Sequence, residues 1–280
     1  MGQQIRLVVL DIDGTINGDS NQINLPVKQA VLAAQARGVK VGIATGRMYR
    51  SALRFHQEIN ADVPLISYQG ALIKDPQTQT VVGHWPVELK YALSLIDDFA
   101  EYVAIEKASV HIYIDDRLYV RRITEETKGY AERSGVEPIE VGDLREFLLS
   151  RSADHPPTKV LALCDSPELV TQLLAQLKQR YTPGELYLTK SVATFFEATN
   201  PIANKGTAVS HLAENLLGFD RSEVMAIGDN FNDLEMLEYA GIGVAMGNAP
   251  QGVKDIADWV APDVNVDGAA AAIEKFVLSV

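Results

Sequence analysis

The stretch "IRLVVLDIDG", residues 5–14, strongly constrains the fold, because a continuous apolar run ends there in two aspartates. Runs of this length that are rich in β-branched residues are typical of strands buried on both faces, as in parallel sheets covered by helices. "PVKQAVLAAQARG" follows with helical spacing, and "VKVGIATG" is a second apolar run. This β-α-β order predicts an α/β fold with a Rossmann-like parallel sheet and helices on both faces.

The β-α alternation is interrupted in the middle of the chain. There "VELKYALSLIDDFAEYV" predicts an amphipathic helix, and "VHIYI" and "LYVRRI" predict two strands joined by a turn. The same helix–strand–strand order returns in "SPELVTQLLAQLKQRY", "ELYLTK" and "TFFEAT", where Ser166 is placed to cap the helix. We therefore predict an inserted α+β domain over residues 84–198, within a core formed by residues 1–83 and 199–280.

Charge and composition narrow the classes of partner. The chain has 280 residues with 25 Lys and Arg against 37 Asp and Glu, a net charge of −12, so it would repel a nucleic-acid backbone. Its apolar runs are strand-sized and none approaches the roughly 20 residues that span a bilayer. The single cysteine, Cys164, excludes an internal disulfide. We expect a cytoplasmic protein, by default a monomer, that binds neither nucleic acid nor membrane.

Polar residues follow four of the predicted core strands at the point where each strand ends. In open α/β sheets, ligands bind in the crevice at the carboxyl ends of the strands, so these side chains are expected to face one another. They are Asp11, Asp13, Thr45, Gly46, Arg47, Gln69, Gly70, Asp229 and Asp233.

Carboxylates crowded at one sheet edge repel each other unless a cation lies between them. Oxygen ligands favour Mg²⁺, and the five histidines and one cysteine show no spacing suited to zinc. Asp11 and Asp229 are the natural ligands. The alternative reading, in which Asp13 and Gly14 form only a turn, does not account for the polar ends of the other three strands.

Four short motifs occur in the order known from one superfamily. "DIDGT", "ATGR", Lys205-Gly206 and "GDNFND" resemble the four motifs of the haloacid dehalogenase superfamily, and within it the Cof-type phosphatases with a large inserted α+β cap. The resemblance covers essentially the whole chain. One departure is "YQGA" after the third strand, where the group usually has Asn-Gly-Ala, so that Gln69 stands at the amide position.

The resemblance implies a mechanism that suits the chemistry of these residues. Asp11 would attack phosphorus and form an aspartyl-phosphate, and Asp13 would protonate the leaving alcohol and then deprotonate the hydrolytic water. Thr45 would donate a hydrogen bond to the phosphoryl group, and Lys205 would neutralise phosphoryl oxygen and Asp11. Mg²⁺ would be held by Asp11, the backbone carbonyl of Asp13, and Asp229.

The resemblance also implies supporting roles around the phosphoryl group. Gly46, Gln69 and Gly70 would bind phosphate through backbone or amide groups, and Asn232 would contact phosphate or support the site. Asp233 would support Lys205 and the metal. For both Asn232 and Asp233 the alternative is a plain helix cap. The inserted cap would supply substrate specificity by closing over the site.

Arg47 and Asn248 each have two interpretations. Arg47 would grip the anionic end of the substrate or form an exposed ion pair, and Asn248 would line the pocket or stabilise a turn.

The motifs favour a phosphatase that hydrolyses small-molecule phosphate monoesters, such as sugar phosphates, nucleotides, flavin mononucleotide or pyridoxal phosphate. A phosphosugar mutase of the same superfamily shares all four motifs, and phosphate release against isomer formation distinguishes the two. A carbon–halogen hydrolase is disfavoured because halide needs no acid such as Asp13. A non-catalytic phospholigand sensor would be expected to lack Asp13 or Lys205, and both are present.

Overall fold

The structure is a computed structural model that describes residues 4–18, 20–151 and 155–279. The chain divides into two compact units. The core unit is formed by Met1–Gly83 and Asn204–Val280, and the inserted unit is His84–Ala203. The sequence-based division places the second junction slightly earlier, after residue 198. That the inserted unit acts as a specificity cap stays a prediction.

Both units mix strands and helices. In chain order the strands are β1 (Leu7–Leu10), β2 (Lys40–Ile43), β3 (Leu65–Ser67), β4 (Leu72–Lys74), β5 (Val81–His84), β6 (Ala108–Ile114), β7 (Arg117–Val120), β8 (Pro138–Glu140), β9 (Lys159–Cys164), β10 (Tyr187–Thr189), β11 (Phe195–Thr199), β12 (Val224–Gly228), β13 (Ile242–Ala245) and β14 (Trp259–Val260). The α-helices are α1 (Leu25–Ala36), α2 (Tyr49–Glu58), α3 (Leu89–Ala104), α4 (Glu125–Ser134), α5 (Leu144–Ser150), α6 (Pro167–Arg180), α7 (Lys205–Ser210), α8 (Leu234–Tyr239), α9 (Gln251–Lys254) and α10 (Gly268–Ile273). Two of them, α7 and α10, continue as π-helical segments, His211–Leu217 and Glu274–Leu278.

The core unit contains a five-stranded parallel sheet in the order β14-β13-β12-β1-β2. Every residue of β1 and β12 is buried, as expected for central strands covered on both faces. Helices pack in two pairs, α1 with α10 and α7 with α8. The α/β fold predicted from the order of apolar runs is confirmed.

The third strand of the core unit extends the edge beside β2. Ala44 forms an isolated parallel bridge with Ile66, and the Thr45 N–H donates to the Ile66 carbonyl at 3.0 Å. From there β3, β4 and β5 form a small separate sheet. The bridge brings the loop after β3 next to the loop after β2, so polar residues of both loops lie at one edge.

The inserted unit contains a six-stranded mixed sheet in the order β10-β11-β9-β6-β7-β8, in which only β7 and β8 pair in parallel. The predicted helix–strand–strand repeat is observed as α3-β6-β7 and α6-β10-β11, and the Ser166 side chain caps α6 by accepting from the Leu169 N–H. An apolar core that includes Phe99, Val160 and Phe196 covers one face of the sheet.

The other face of the inserted sheet carries a polar network. On β6, His111 and Tyr113 alternate with core residues, and they contact Thr127 and Tyr130 of α4. No helix among the described residues is long and apolar enough to cross a membrane.

Candidate active site

A buried lysine and three carboxylates meet at the carboxyl edge of the core sheet. Asp11 follows β1, and its backbone N–H donates to the Ile227 carbonyl of β12 at 3.0 Å. The Lys205 ammonium donates to Asp11 Oδ1 at 2.6 Å and to Asp233 Oδ1 at 2.5 Å. Its side chain is 0% exposed, so it contributes a fixed positive charge rather than a solvated one.

Lys205 is the first residue of α7, and the chain fixes the start of this helix locally. The Asn204 side chain accepts from the Thr207 N–H at 2.9 Å, and the Thr207 hydroxyl closes the reciprocal half of a capping box. The lysine therefore enters the site from a defined helix end.

Both oxygens of Asp233 accept hydrogen bonds from the protein. Its Oδ1 accepts from Lys205, and its Oδ2 accepts from the backbone N–H groups of Asp229 and Asn230 at 2.8 and 3.0 Å. Asp233 thus fixes both the lysine and the loop after β12, which is where the predicted supporting role would require it to be.

Asp229 retains an unsatisfied acceptor. Its Oδ1 is buried without a hydrogen-bond partner among the described residues, and carboxylate oxygens of Asp11, Asp229 and Asp233 lie within 4.8 Å of one another. Because Asp233 already accepts three hydrogen bonds from the protein, Asp11 and Asp229 are the acids of this group better placed to hold a cation. An orphaned buried oxygen beside a second carboxylate, with no histidine or cysteine in the group, fits a hard divalent cation such as Mg²⁺.

Glycine at position 14 permits this approach of Asp229. Gly14 has φ +84°, and a Cβ atom there would lie 2.2 Å from Asp229 Oδ2. Asn248 completes the contact by donating to the Gly14 carbonyl at 2.9 Å, and its amide lies 3.4 Å from Asp229 Oδ2. Its Oδ1 accepts from the Val264 N–H, so Asn248 joins the site to a neighbouring turn.

Burial and neighbouring charges shift the pKa values of Asp11, Asp229 and Lys205. Burial, with a smaller contribution from nearby carboxylates, raises the pKa of Asp11 to about 7 despite Lys205. Burial and the neighbouring Asp11 raise the pKa of Asp229 to about 8. Burial alone would lower the pKa of Lys205, but Asp11 and Asp233 hold it above its ordinary value. The protein thus keeps the lysine charged and leaves two acids in need of a cation.

Asp13 takes a different counterion from Asp11. Arg47 Nε donates to Asp13 Oδ2 at 2.7 Å, and Arg47 Nη2 donates to Asp13 Oδ1 at 2.5 Å. The Asp13 side chain is 53% exposed, against 7% for that of Asp11. The more accessible of the two acids is therefore the one predicted to meet the leaving group. Contact of Arg47 with substrate stays a prediction.

The loops after β2 and β3 are joined by backbone hydrogen bonds. The Gln69 N–H donates to the Thr45 carbonyl at 3.0 Å, and the Thr45 hydroxyl accepts from the Arg47 N–H at 3.1 Å. Gly46 lies against the Gln69 side-chain amide. Gly70 has φ +95°, and a Cβ there would lie 2.3 Å from the Asn204 carbonyl oxygen.

Gln69 and Asn232 are buried and contact each other directly. Asn232 Nδ2 donates to Gln69 Oε1 at 3.1 Å, which joins the loop after β3 to the loop after β12. The longer side chain at position 69 therefore finds an amide partner inside the site. The structure brings all the predicted site residues to this edge of the core unit.

Sequence reasoning missed Asn17 and Asn21. Asn17 donates to Asp13 Oδ1 and to Asn21 Oδ1, both at 3.3 Å, and Asn21 lies 3.4 Å from Arg47 Nη2. The only sequence signal was the dense group of turn-forming residues after "DIDGT".

Comparison with known proteins agrees with this geometry. Residues 8–273 match the family model for haloacid dehalogenase-like hydrolases. The chain is 33% identical to YxeH of Bacillus subtilis, over 98% of this chain and 99% of the relative. It is 29% identical to 5-amino-6-(5-phospho-D-ribitylamino)uracil phosphatase YcsE of the same organism, over 98% of this chain and 96% of the relative.

Comparison with solved structures points to the same family. A haloacid dehalogenase-like hydrolase from B. subtilis superimposes with a TM-score of 0.84 at 25% identity, covering 96% of this chain and 99% of that one. TM0651 from Thermotoga maritima superimposes with a TM-score of 0.78 at 30% identity, covering 97% of both chains. The family resemblance carried by the four motifs is confirmed, and this chain belongs to the haloacid dehalogenase-like hydrolase family.

Proposed function

We propose that this haloacid dehalogenase-like phosphatase hydrolyses small-molecule phosphate monoesters, with Mg²⁺, through an aspartyl-phosphate. The observation that carries the proposal is the fully buried Lys205 beside three carboxylates, one of which, Asp229, has an oxygen without a hydrogen-bond partner in the described part of the chain. A site with one lysine for three acids is suited to a divalent cation and to a phosphoryl group that the cation and lysine together neutralise.

Asp11 is the nucleophile in this proposal. Lys205 binds its Oδ1 at 2.6 Å, so the other carboxylate oxygen is left to attack phosphorus. A new bond forms between that oxygen and phosphorus as the bond from phosphorus to the ester oxygen breaks. Lys205 also stabilises the negative charge of the phosphoryl oxygens, because it remains protonated between the two carboxylates.

Asp13 serves first as acid and then as base. It donates a proton to the departing alcohol oxygen, and it then accepts a proton from the water that attacks the aspartyl-phosphate. Its half-exposed side chain suits it to meet both a leaving group and an incoming water.

The remaining polar groups orient the phosphoryl group. Thr45 accepts from a backbone N–H, so its hydroxyl hydrogen is available to donate. Asn232 hydrogen-bonds to Gln69, and Gly46 and Gly70 lie in the loops after β2 and β3.

The residues that would hold Mg²⁺ are Asp11, Asp229 and the backbone carbonyl of Asp13. When bound, the ion supplies positive charge that offsets both the carboxylates and the phosphoryl oxygens. Two relatives support the substrate class, since YcsE is named a 5-amino-6-(5-phospho-D-ribitylamino)uracil phosphatase and YbhA of Escherichia coli a pyridoxal phosphate phosphatase. A cytoplasmic location and a monomeric state stay predictions from the sequence.

A panel of phosphate monoesters, assayed for phosphate release with Mg²⁺ and with chelator, tests the proposal. We expect turnover of at least one ester that disappears with chelator, returns with Mg²⁺, and is absent in Asp11→Asn. Isomer formation without phosphate release would favour the mutase. Tight binding of esters without turnover in the wild-type protein would favour the sensor.

A further inference from the structure

We propose that Arg47 is a positioning residue that orients the Asp13 carboxylate, rather than a group that grips the substrate. The inference rests on the proposed function, because it concerns how the acid and base of that reaction is held. It starts from the contact between two side chains that the motifs place 34 residues apart.

The ion pair fixes both oxygens of Asp13. Arg47 Nε donates to Oδ2 at 2.7 Å and Arg47 Nη2 donates to Oδ1 at 2.5 Å. Two parallel bonds from one planar guanidinium define the plane of the carboxylate as well as its position. A half-exposed aspartate at the end of a strand would otherwise sample several rotamers, since it keeps little packing of its own.

The guanidinium is itself held in place. Its Cζ lies 4.7 Å from the centre of the Phe55 ring, which is fully buried, and the Arg47 side chain is only 17% exposed. The Arg47 N–H donates to the Thr45 hydroxyl, and its carbonyl accepts from the Tyr68 N–H at 2.8 Å. The residue is therefore tied into both loops of the site at its backbone and into the core at its head group.

A second contact acts on Asp13 from its own loop. Asn17 donates to Asp13 Oδ1 at 3.3 Å, and the Gly14 N–H donates to the Asn17 carbonyl at 2.8 Å. The loop after β1 thus folds back so that its own Asn17 contacts Asp13, whereas Arg47 reaches Asp13 from the loop after β2. The carboxylate is confined by two neighbours that come from different loops.

The two reacting acids are separated by their counterions. Lys205 binds Asp11 and Arg47 binds Asp13, so each acid has a cation of its own. An arginine whose fork is occupied by Asp13 would have to give up that ion pair in order to grip a substrate anion. Positioning needs a smaller exchange: when Asp13 carries the proton for the leaving group on one oxygen, Arg47 gives up its bond to that oxygen and keeps its bond to the other.

A double-mutant cycle between Arg47→Met and Asp13→Asn distinguishes the two roles. For an alkyl phosphate, Arg47→Met should lower kcat by about 10- to 100-fold while KM changes by less than about threefold, the pattern of a residue that supports another. For an activated aryl phosphate the loss should be smaller. In the Asp13→Asn background, Arg47→Met should cost less than about twofold more, because the group through which it acts is already gone.

Two further variants complete the test. Arg54 lies over the same Phe55 ring at 4.2 Å, is exposed, and donates to the Asn21 carbonyl at 3.4 Å rather than to Asp13. Arg54→Met therefore removes an equal charge and a similar ring contact while Arg47 keeps both bonds to Asp13, and it should leave turnover largely unchanged. Arg47→Lys should recover part of kcat, since one ammonium can hold one oxygen but not both.

Several outcomes would overturn the proposal. A raised KM with unchanged kcat, or losses that multiply in the double variant, would assign Arg47 to the substrate. A loss of kcat in Arg54→Met equal to that in Arg47→Met would mean that the loss comes from removing a positive charge near the site and not from the bonds to Asp13. A wild-type protein that turns over no ester would instead overturn the proposed function, and this inference with it.

Discussion

The two units each bury a lysine, but they surround it differently. In the core unit, Lys205 lies between Asp11 and Asp233, with Asp229 close by. In the inserted unit, Lys159 and Glu197 are 2% and 1% exposed, and their charged atoms lie 3.2 Å apart. Both lysines are therefore removed from water, which makes every charge around them costly unless it is paired.

The difference lies in the balance of charge. In the inserted unit the Lys159 ammonium pairs with the Glu197 carboxylate, whose other oxygen accepts from the Ser191 hydroxyl. Burial, with Lys159 nearby, lowers the pKa of His111 to about 3, which keeps that imidazole neutral. In the core unit, three carboxylates surround one lysine. A balanced buried pair leaves no net charge to compensate, whereas an excess of carboxylates favours a cation, and only that cation would make the site attractive to an anionic substrate.

Replacing each lysine in turn should show the largest difference between the two units, in activity for Lys205 and in stability for Lys159. Lys205→Met should lower kcat/KM by about 10³-fold or more, because it removes the buried ammonium that binds the proposed nucleophile, Asp11. Lys159→Met should lower the free energy of unfolding by about 3–5 kcal/mol, because it leaves Glu197 buried without its partner, and it should change kcat/KM only a few-fold. Denaturant titrations and kinetics on both variants measure these effects.

A matched control is the double variant Lys159→Met with Glu197→Gln, which removes both charges of the inserted unit and should recover part of the lost stability. A loss of activity in Lys159→Met as large as in Lys205→Met would contradict a purely structural role for the balanced pair.

Asp13→Asn should have the next largest effect. It keeps the nucleophile and the metal ligands but removes the proton donor, a role worth about 10² to 10⁴ in rate. The loss in kcat/KM should be large for alkyl or sugar phosphates and smaller for an activated aryl phosphate, whose oxygen leaves with little protonation. Asp11→Asn should abolish turnover of both. Equal losses on the two esters in Asp13→Asn would remove Asp13 from the acid role.

The charge imbalance should also appear as a pH-dependent response to Mg²⁺. The folded-state pKa values of Asp11 and Asp229 are raised from 3.8 to about 7 and about 8, so at these two groups the metal-free folded protein binds more protons than the unfolded chain. Their contribution to stability therefore falls as the pH rises from the unfolded value to the folded ones. Mg²⁺ needs the ionised carboxylates, and it should therefore raise Tm more at about pH 8.5 than at about pH 6.

Thermal unfolding with Mg²⁺ and with chelator at both pH values measures this difference. Asp229→Asn is the control, since it removes one raised pKa and one ligand and should abolish most of the Mg²⁺ effect. A Tm increase of the same size at both pH values would argue against these two acids as the metal site.

Limited proteolysis should show the smallest effect. The chain enters and leaves the inserted unit near residues 83–86 and 199–205, where Asn200 Nδ2 donates to the Pro86 carbonyl at 2.8 Å. We expect first cuts at these junctions, and a slowing of about two- to fivefold by a substrate that holds a cap closed. Lys159→Met should add cuts within the inserted unit. Equal cutting rates with and without substrate would count against a mobile cap.

Some features of the site could be predicted because strand ends share one edge of a parallel sheet. Asp11, Thr45 and Asp229 each follow a buried apolar run, and that pattern alone places them together. The repeated helix–strand–strand order likewise predicts the elements of the inserted unit. The exact junction was less predictable, since residues 200–203 show neither the apolar spacing of a helix nor that of a strand. They belong to the inserted unit through contacts such as that of Asn200 with Pro86.

The sequence by itself determined the fold class and the family, and it predicts a set of reacting groups, because apolar periodicity and short motifs are properties of neighbouring residues. Only the tertiary structure decided which cation serves which acid. Lys205 reaches Asp11 across 194 residues, and Arg47 binds Asp13 although its motif is equally consistent with a substrate contact. Pairing of charges depends on distances of a few ångströms between separate loops, which the linear order of residues does not specify.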